Sequence, residues 1–178
     1  MQHTKKRQAM KSELDKIKYP DKISKYMGFE EAIRSQTADR YGYDNRPNAE
    51  QLKNMKFVAK KVFDPVREFV GGPVTCSSFF RSPGLNTLIG GSTRSFHCHG
   101  AAIDIKLFSD CSYAEVFEFI KDNLTFSELI WEFGNDDQPA WVHVAYLPGD
   151  VRKMVKKVQK VGKRNVWFDL VGSEWTER

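Results

Sequence analysis

The most constraining feature of this sequence is an aspartate placed inside a run of apolar residues. Asp104 lies in residues 101–107, whose small and β-branched side chains predict a buried strand. A single carboxylate there is costly to bury unless it is paired or binds a metal ion. His97 precedes it by seven residues, and Gly100 permits a tight turn between them, because glycine tolerates positive φ and a close backbone approach. His97 and Asp104 are therefore predicted to share one cation.

A third metal ligand is available in a second strand-like segment. Residues 141–146 are mostly apolar, and His143 lies in their middle. Two imidazoles and one carboxylate form a zinc ligand set, and three protein ligands leave the fourth tetrahedral position for water, as a hydrolytic site requires. Zinc lowers the pKa of such a water towards about 7 and polarises a scissile carbonyl. His97, Asp104 and His143 are therefore predicted to bind Zn²⁺.

Several spaced motifs in this chain carry a family resemblance. They are Ser-Gln-Thr-Ala-Asp-Arg at 35–40, Phe-Arg-Ser-Pro-Gly-Leu-Asn at 80–86, Ser-x-His-x-x-Gly-x-Ala-x-Asp at 95–104 and Trp-x-His at 141–143. In this order they resemble the phage-type branch of the M15 peptidases, which are zinc D-Ala-D-Ala carboxypeptidases and peptidoglycan endopeptidases. The resemblance covers roughly residues 29–150. It implies the Hedgehog/DD-peptidase fold, and we expect an α+β domain with helices packed on a small, mostly antiparallel sheet.

The resemblance also implies roles for two further side chains. Arg81 would pair with a substrate carboxylate or carbonyl oxygen, a role suited to the planar, bidentate guanidinium group. Ser95 would contact the substrate from the metal-site loop. Both residues stand at positions that match the family motifs.

Hydrolysis also requires a general base beside the attacking water. Glu132 is our candidate, because it lies between apolar neighbours in the strand-like segment 128–133. We expect this segment to form a hairpin with the strand that carries His143. A charge in such a strand needs a partner.

The position of the base departs from the pattern of many M15 enzymes, which place an acid three residues before the last histidine ligand. This chain has Ala140 there. The phage-type branch instead resembles the Ile-x-Glu-Phe arrangement at 130–133, which again indicates Glu132. Asp137 and, behind it, Asp136 are the alternatives, although a solvated loop also accounts for both.

The remaining histidine and cysteine residues near the motif are predicted to stay outside the ligand set. A fourth protein ligand would close the zinc site, so His99 is predicted to lie beside it or at the surface. Three cysteines are too few and too irregularly spaced for a disulfide framework. Cys98 is predicted to be a small core residue.

The charge pattern bears on partners and location. The chain has 178 residues and a net charge of +5, and its densest basic patch, at 152–164, is typical of a solvated face. A contact with an anionic cell-wall polymer or with nucleic acid is the alternative for that patch, and nucleic acid is the less favoured. No apolar run approaches about 18 residues, so no membrane insertion is expected. The basic N-terminus lacks a following apolar segment, so no secretory signal is predicted.

The pattern of elements predicts an N-terminal arm at 1–28, a zinc peptidase-like domain at 29–150 and a basic C-terminal extension at 151–178 packed on the same domain. A charged helix is predicted over 8–18, a loop over 40–47, and a helix over 49–70 that Pro65 kinks or splits. Residues 151–161 are compatible with a strand or a helix, 165–170 predict a terminal strand, and 172–178 are predicted to be frayed.

These observations predict a monomeric zinc metallopeptidase that hydrolyses peptidoglycan stem peptides. It would be made in the cytoplasm and would act on the cell wall after release, as a phage endolysin does, or as part of a virion. The alternative is a catalytically inactive, zinc-stabilised virion or cell-wall-binding protein on the same scaffold, because fold alone does not settle function. Ala140 is the main feature that favours this alternative.

Overall fold

The computed structural model describes residues 13–178. The helices are α1 (Phe29–Ile33), α2 (Gln36–Tyr41), α3 (Ala49–Val58), α4 (Asp64–Val70), α5 (Pro83–Leu88) and α6 (Tyr113–Asn123). A π-helical segment, Ala59–Phe63, joins α3 to α4, and a 3₁₀ helix spans Phe96–His99. The strands are β1 (Val74–Ser78), β2 (Ala102–Leu107), β3 (Glu128–Glu132), β4 (Trp141–Ala145), β5 (Met154–Val161), β6 (Arg164–Val171) and β7 (Glu174–Glu177).

The seven strands form one sheet in the order β1-β2-β4-β3-β5-β6-β7. Every pairing is antiparallel except that of β3 with β5. The predicted α+β fold with a mostly antiparallel sheet is therefore confirmed. In the described part of the chain, no helix is both long and apolar enough to cross a membrane.

Strand alternation gives the centre of the sheet one apolar and one polar face. Ile103 and Ile105 on β2 are fully buried, as are Val142 and Val144 on β4. They pack with the apolar sides of α3 and α6 in a single core. Because neighbouring strand residues point to opposite faces, the residues between them project away from that core. Asp104 is one of these, so the alternation that buries the isoleucines also presents its carboxylate on the other face.

The long helical segment begins and ends where its sequence predicts. Asn48 caps α3 in a capping box with Gln51, and Gly71 ends α4 in the left-handed conformation. The predicted interruption at Pro65 takes the form of the π-helical segment just before α4. Proline has no N–H and clashes with the carbonyl four residues earlier, so the preceding turn widens.

Two short helices were not expected from the sequence. Helix α2 ends at Tyr41 and so includes the first two residues of the predicted loop at 40–47, and α5 begins two residues after Arg81. Both carry start signals: Ser35 accepts a hydrogen bond from the Ala38 backbone N–H, and Pro83 occupies the first position of α5.

The C-terminal end corrects one prediction. The expected fraying of residues 172–178 is wrong, because β7 pairs with β6 and Arg178 forms a salt bridge with Asp169. Trp175 packs against the core, and the buried Lys157 ammonium lies 5.7 Å from the ring centroids of Trp175 and Trp131. Residues 151–178 thus supply three strands of the same sheet, and 154–161 is a strand rather than a helix.

Residues 8–12 of the helix predicted over 8–18 lie outside the described residues; of the rest, residues 13 and 14 are helical and a turn follows at 15–16, so the helix ends before the predicted residue 18. Within the predicted N-terminal arm, Leu14, Ile23 and Met27 are buried, and Ile23 and Met27 belong to the core. The described part of this segment therefore packs on the domain.

Candidate metal centre

Three predicted ligands meet at one point on the polar face of the sheet. The Nδ1 atom of His143 lies 2.8 Å from Oδ1 of Asp104. The Nε2 atom of His97 lies 3.3 Å from that oxygen and 3.3 Å from His143 Nδ1. His97 and His143 are buried, with exposed fractions of 1% and 7%, and Asp104 is partly buried. The cluster therefore brings together three donor atoms on side chains that are largely shielded from solvent.

Strand pairing brings two of these residues together from distant parts of the chain. Asp104 on β2 and His143 on β4 are direct partners in the antiparallel ladder. Side chains of such partners lie on the same face, with Cβ atoms about 5 Å apart. His97 reaches the same place from the 3₁₀ helix, which Gly100 ends in the left-handed conformation at φ 66°. The tight turn predicted between His97 and Asp104 is present.

Hydrogen bonds fix the orientation of His97. Its Nδ1 lies 2.6 Å from the carbonyl oxygen of Phe79, so Nδ1–H donates to that carbonyl and Nε2 keeps its lone pair. This arrangement holds an imidazole in the tautomer that a metal ion requires. Helix α3 holds the same loop, because Gln51 and Asn54 donate side-chain hydrogen bonds of 2.9 Å to the carbonyls of Cys98 and His99.

The electrostatics of the cluster favour metal binding. Burial lowers the pKa of His97, which favours the neutral imidazole that binds a metal ion. Burial opposes ionisation of Asp104, but the two imidazoles outweigh it and hold the pKa of the carboxyl well below its ordinary value. Burial likewise opposes charge on His143, but its hydrogen bond with Asp104 raises its pKa. Protons and a metal ion therefore compete for His143.

The size of the donor triangle fits a zinc ion. Zn–N and Zn–O bonds are about 2.0–2.2 Å long, so adjacent ligand atoms of a zinc tetrahedron lie about 3.3 Å apart. The sides of the triangle here are 3.3, 3.3 and 2.8 Å. Three protein ligands with nitrogen and oxygen donors leave one tetrahedral position open, as in catalytic zinc sites. The residues present thus fit the metal ion that the sequence predicts.

Glu132 lies beside this cluster on the same face. It ends β3 as the ladder partner of Trp141, two residues before His143 on the neighbouring strand. Burial raises the pKa of Glu132 to about 7; Asp104 and Glu128 add to the rise, and His143 opposes it. A carboxyl group with a pKa near the working pH is suited to take up and return a proton.

The alternative acids are placed differently. Asp136 is 85% exposed and pairs with Lys157, whose ammonium lies near Trp131 on the apolar side of the sheet. Asp137 is exposed in the loop between β3 and β4. Glu132, in contrast, acts on the pKa of His143. The geometry therefore favours Glu132 over both.

Ala140, the position where many M15 enzymes carry their acid, is adjacent to Glu132 in space. The Ala140 N–H donates a 2.9 Å hydrogen bond to the Glu132 carbonyl across the hairpin. The Glu132 carboxylate thus extends from backbone that directly faces position 140.

Arg81 lies at the edge of the cluster. It follows β1, its backbone N–H donates to the His97 carbonyl at 3.3 Å, and its charge acts on the pKa values of His97 and Glu132. Its buried Nε has no hydrogen-bond partner among the described residues. Arg81 also lines a cavity of about 560 Å³ that runs along β1.

The other predicted residues lie around the 3₁₀ helix. Ser95 precedes it, is partly buried, and its side chain makes no capping hydrogen bond. His99 is exposed and does not belong to the donor cluster. Cys98 is a buried free thiol whose pKa is raised by burial, as a small core residue would be.

An α+β domain that gathers two imidazoles and a carboxylate around one point has the donor set of a metal-dependent hydrolase. A family model described as Peptidase M15 matches residues 25–145. This match covers more than half of the sequence, and the chain belongs to the M15 peptidase family, which indicates a metallopeptidase. A comparison with curated proteins found no match.

Proposed function

We propose that this protein is a zinc-dependent peptidase that hydrolyses peptide bonds in peptidoglycan stem peptides. One observation carries the proposal: the His97, Asp104 and His143 donor triangle has a partly buried carboxyl group, Glu132, beside it on the same face. A structural zinc site needs four protein ligands and no neighbouring base. Membership of the M15 family supplies the expectation of a peptide substrate.

In this proposal the three clustered residues would hold Zn²⁺, and the bound ion would supply Lewis-acid chemistry towards the scissile carbonyl and the attacking water. Glu132 takes a proton from that water on its carboxylate and returns it to the nitrogen of the leaving amine. Its raised pKa supports this double role, because a group that titrates near neutrality can both accept and donate a proton.

Arg81 is proposed to bind an oxygen of the peptide. Its Nε is buried without a partner in the described part of the chain, so an oxygen arriving with the substrate would satisfy it. A guanidinium in a water-poor pocket stabilises negative charge strongly, which supports a role towards the oxygen on which charge develops. Ser95, at the start of the 3₁₀ helix, is proposed as a further substrate contact.

The decisive experiment incubates the zinc-loaded protein with intact peptidoglycan and analyses the released fragments by mass spectrometry. Glu132→Gln is tested beside it, with Asp137→Asn as the matched control. Each variant changes one carboxylate to an amide, but only the first lies beside the cluster. We expect the wild type and Asp137→Asn to release one defined peptide and Glu132→Gln to release none. The cleaved bond distinguishes a D-Ala-D-Ala carboxypeptidase from an endopeptidase.

A second candidate is an inactive, zinc-stabilised protein that binds the cell wall. Ala140 is the feature that favours it, because an acid is missing where many relatives in the family carry one. Binding of one equivalent of zinc without any cleavage by the wild type would support this candidate. We propose for either function that the protein acts at the cell wall, after release from the cell or as a virion component.

A further inference from the structure

We propose that the cavity along β1 is a subsite for an anionic residue of the substrate peptide, and that Arg34 and Lys106 recognise its carboxylate. This inference rests on the proposed function, since it assumes that a peptide is bound at the metal centre. It goes beyond that function by naming the charge of a neighbouring residue of the substrate and the side chains that select it.

The cavity is large enough for a peptide residue, and two of its lining residues adjoin the metal centre. Its volume of about 560 Å³ falls within the range of small-ligand pockets. Arg81 and Ser78 line it; Arg81 also donates to the His97 carbonyl, and Ser78 is the ladder partner of Asp104. A peptide that reaches the metal centre can therefore continue into the cavity.

The cavity carries an excess of positive charge. Arg34, Arg81 and Lys106 line it, and within residues 13–178 none of them forms an ion pair with a carboxylate. Glu31 is the one carboxylate among the described lining residues, and the hydroxyl of Thr75 donates a hydrogen bond to it. Cations that converge on a concave surface raise the local concentration of anions.

Strand geometry fixes how far this charge lies from the reacting bond. Lys106 follows Asp104 by two residues on β2 and therefore projects from the same face of the sheet. Two residues of extended chain span about 7 Å. If an extended peptide is bound along this face with its scissile bond at the metal centre, the residue about two positions further along the peptide lies near Lys106. The rings of Phe108 and Phe80 line the same cavity and can cover the apolar part of that residue.

Stem peptides offer such a group in the α-carboxylate of their D-glutamate. Its amidated form, D-isoglutamine, has nearly the same shape and no charge. A site built on a guanidinium and an ammonium discriminates between these two forms, because the carboxylate offers two acceptor oxygens and a negative charge, whereas the amide offers one neutral acceptor oxygen and an NH₂ group that cannot accept from either cation. The inference therefore predicts selectivity for the free acid.

The test measures binding rather than turnover. The synthetic peptide L-Ala-γ-D-Glu-L-Lys-D-Ala-D-Ala and its D-isoglutamine counterpart are titrated by calorimetry into the zinc-loaded Glu132→Gln protein. We expect the acid to bind about tenfold more tightly, and the added double substitution Arg34→Met and Lys106→Met to abolish that preference. The matched control is Lys160→Met with Lys163→Met, which removes the same charge from exposed positions on β5 and the β5–β6 turn. It is expected to keep the preference.

The outcomes separate this inference from the proposed function. Equal affinity of the unsubstituted cavity for the two peptides, or failure of both to bind, overturns the inference. Loss of the preference in the Lys160 and Lys163 control overturns it as well, since the effect would then be one of net charge. Cleavage of peptidoglycan by the wild type tests the proposed function alone. A protein that binds the acid selectively but cleaves nothing would support the subsite and contradict the peptidase activity.

Discussion

Replacing Gly100 by alanine tests how the chain positions His97. Gly100 is buried and has a φ of 66°. A Cβ atom there would lie 2.4 Å from the carbonyl oxygen of Gln51 and 2.9 Å from the Cγ of Met55, both on helix α3. Backbone oxygen cannot rotate away as a flexible side chain can, so either the loop or the helix must shift. The shift would move the loop that carries His97.

The expected loss in the free energy of unfolding has two parts. The left-handed conformation costs a non-glycine residue about 1–2 kcal/mol. Forcing an extra carbon into a packed site adds about 1–3 kcal/mol. Gly42 is the matched control, because its φ is 65° but a Cβ there would have no atom within 4 Å. We therefore expect Gly42→Ala to lower the free energy of unfolding by about 1–2 kcal/mol and Gly100→Ala by about 2–5 kcal/mol.

Urea denaturation of the metal-free proteins measures both values. Zinc affinity, measured by competition with a chromophoric chelator, should fall only for Gly100→Ala, because only that change displaces a ligand loop. Equal destabilisation by the two substitutions, or unchanged zinc affinity of Gly100→Ala, would show that the close approach to α3 does not position His97.

Three further predictions concern charges and the C-terminal strands. Burial raises the pKa of Glu132 to about 7, above its unfolded value of about 4.3, so the native metal-free protein loses stability as pH rises between these values. Glu132→Gln should therefore raise the melting temperature at pH 8 and leave it nearly unchanged at pH 4. The pKa of Asp104 is lowered on folding, so its contribution to stability is present above about pH 4 and is lost as pH falls. Asp104→Asn should therefore make the free energy of unfolding depend less on pH in the acid range, and it should reduce the bound zinc measured by atomic emission. Trp175→Ala should cost about 2–3 kcal/mol in urea denaturation, less than a fully buried tryptophan because Trp175 is only partly buried.

Local signals in the sequence predicted helix boundaries well. Helix α6 begins directly after Ser112, which forms a capping box with Glu115 three residues later. Such motifs need only neighbours in sequence to form. The missed helix α2 carried equally local signals, since Ser35 caps its start and Gly42 ends it in the left-handed conformation. The Gly, Asn and Pro residues that follow predict a loop, and this prediction conceals the short helix before them.

Non-local pairing explains what local patterns could not predict. The segment 174–177 is short and charged, and it forms a strand only because β6 is available as its partner. The parallel pairing of β3 with β5 is likewise non-local, because residues 146–153 must carry the chain from β4 back past β3 to its free edge. For the metal centre, the apolar context of Asp104 and His143 predicted buried strands but not their register. The family resemblance, and not the local pattern, supports placing Asp104 and His143 in one ligand set although they lie 39 positions apart in the sequence.

Register is where the core and the metal centre depend on each other. Asp104 pairs with His143 because Ile103 pairs with Val144 and Ile105 with Val142, and these four apolar side chains are fully buried on the other face. A slip of one residue on either strand would expose its apolar side chains and bury its ligand in the core. Burial of a Val or Ile side chain is worth about 1.5–3 kcal/mol, and a slip would expose several of them. This cost is larger than any improvement in solvation that the metal-free ligands would obtain in another register. The core thus holds the ligands in place before any metal ion binds, and variants that weaken packing on the helix side should lose zinc affinity without touching a ligand.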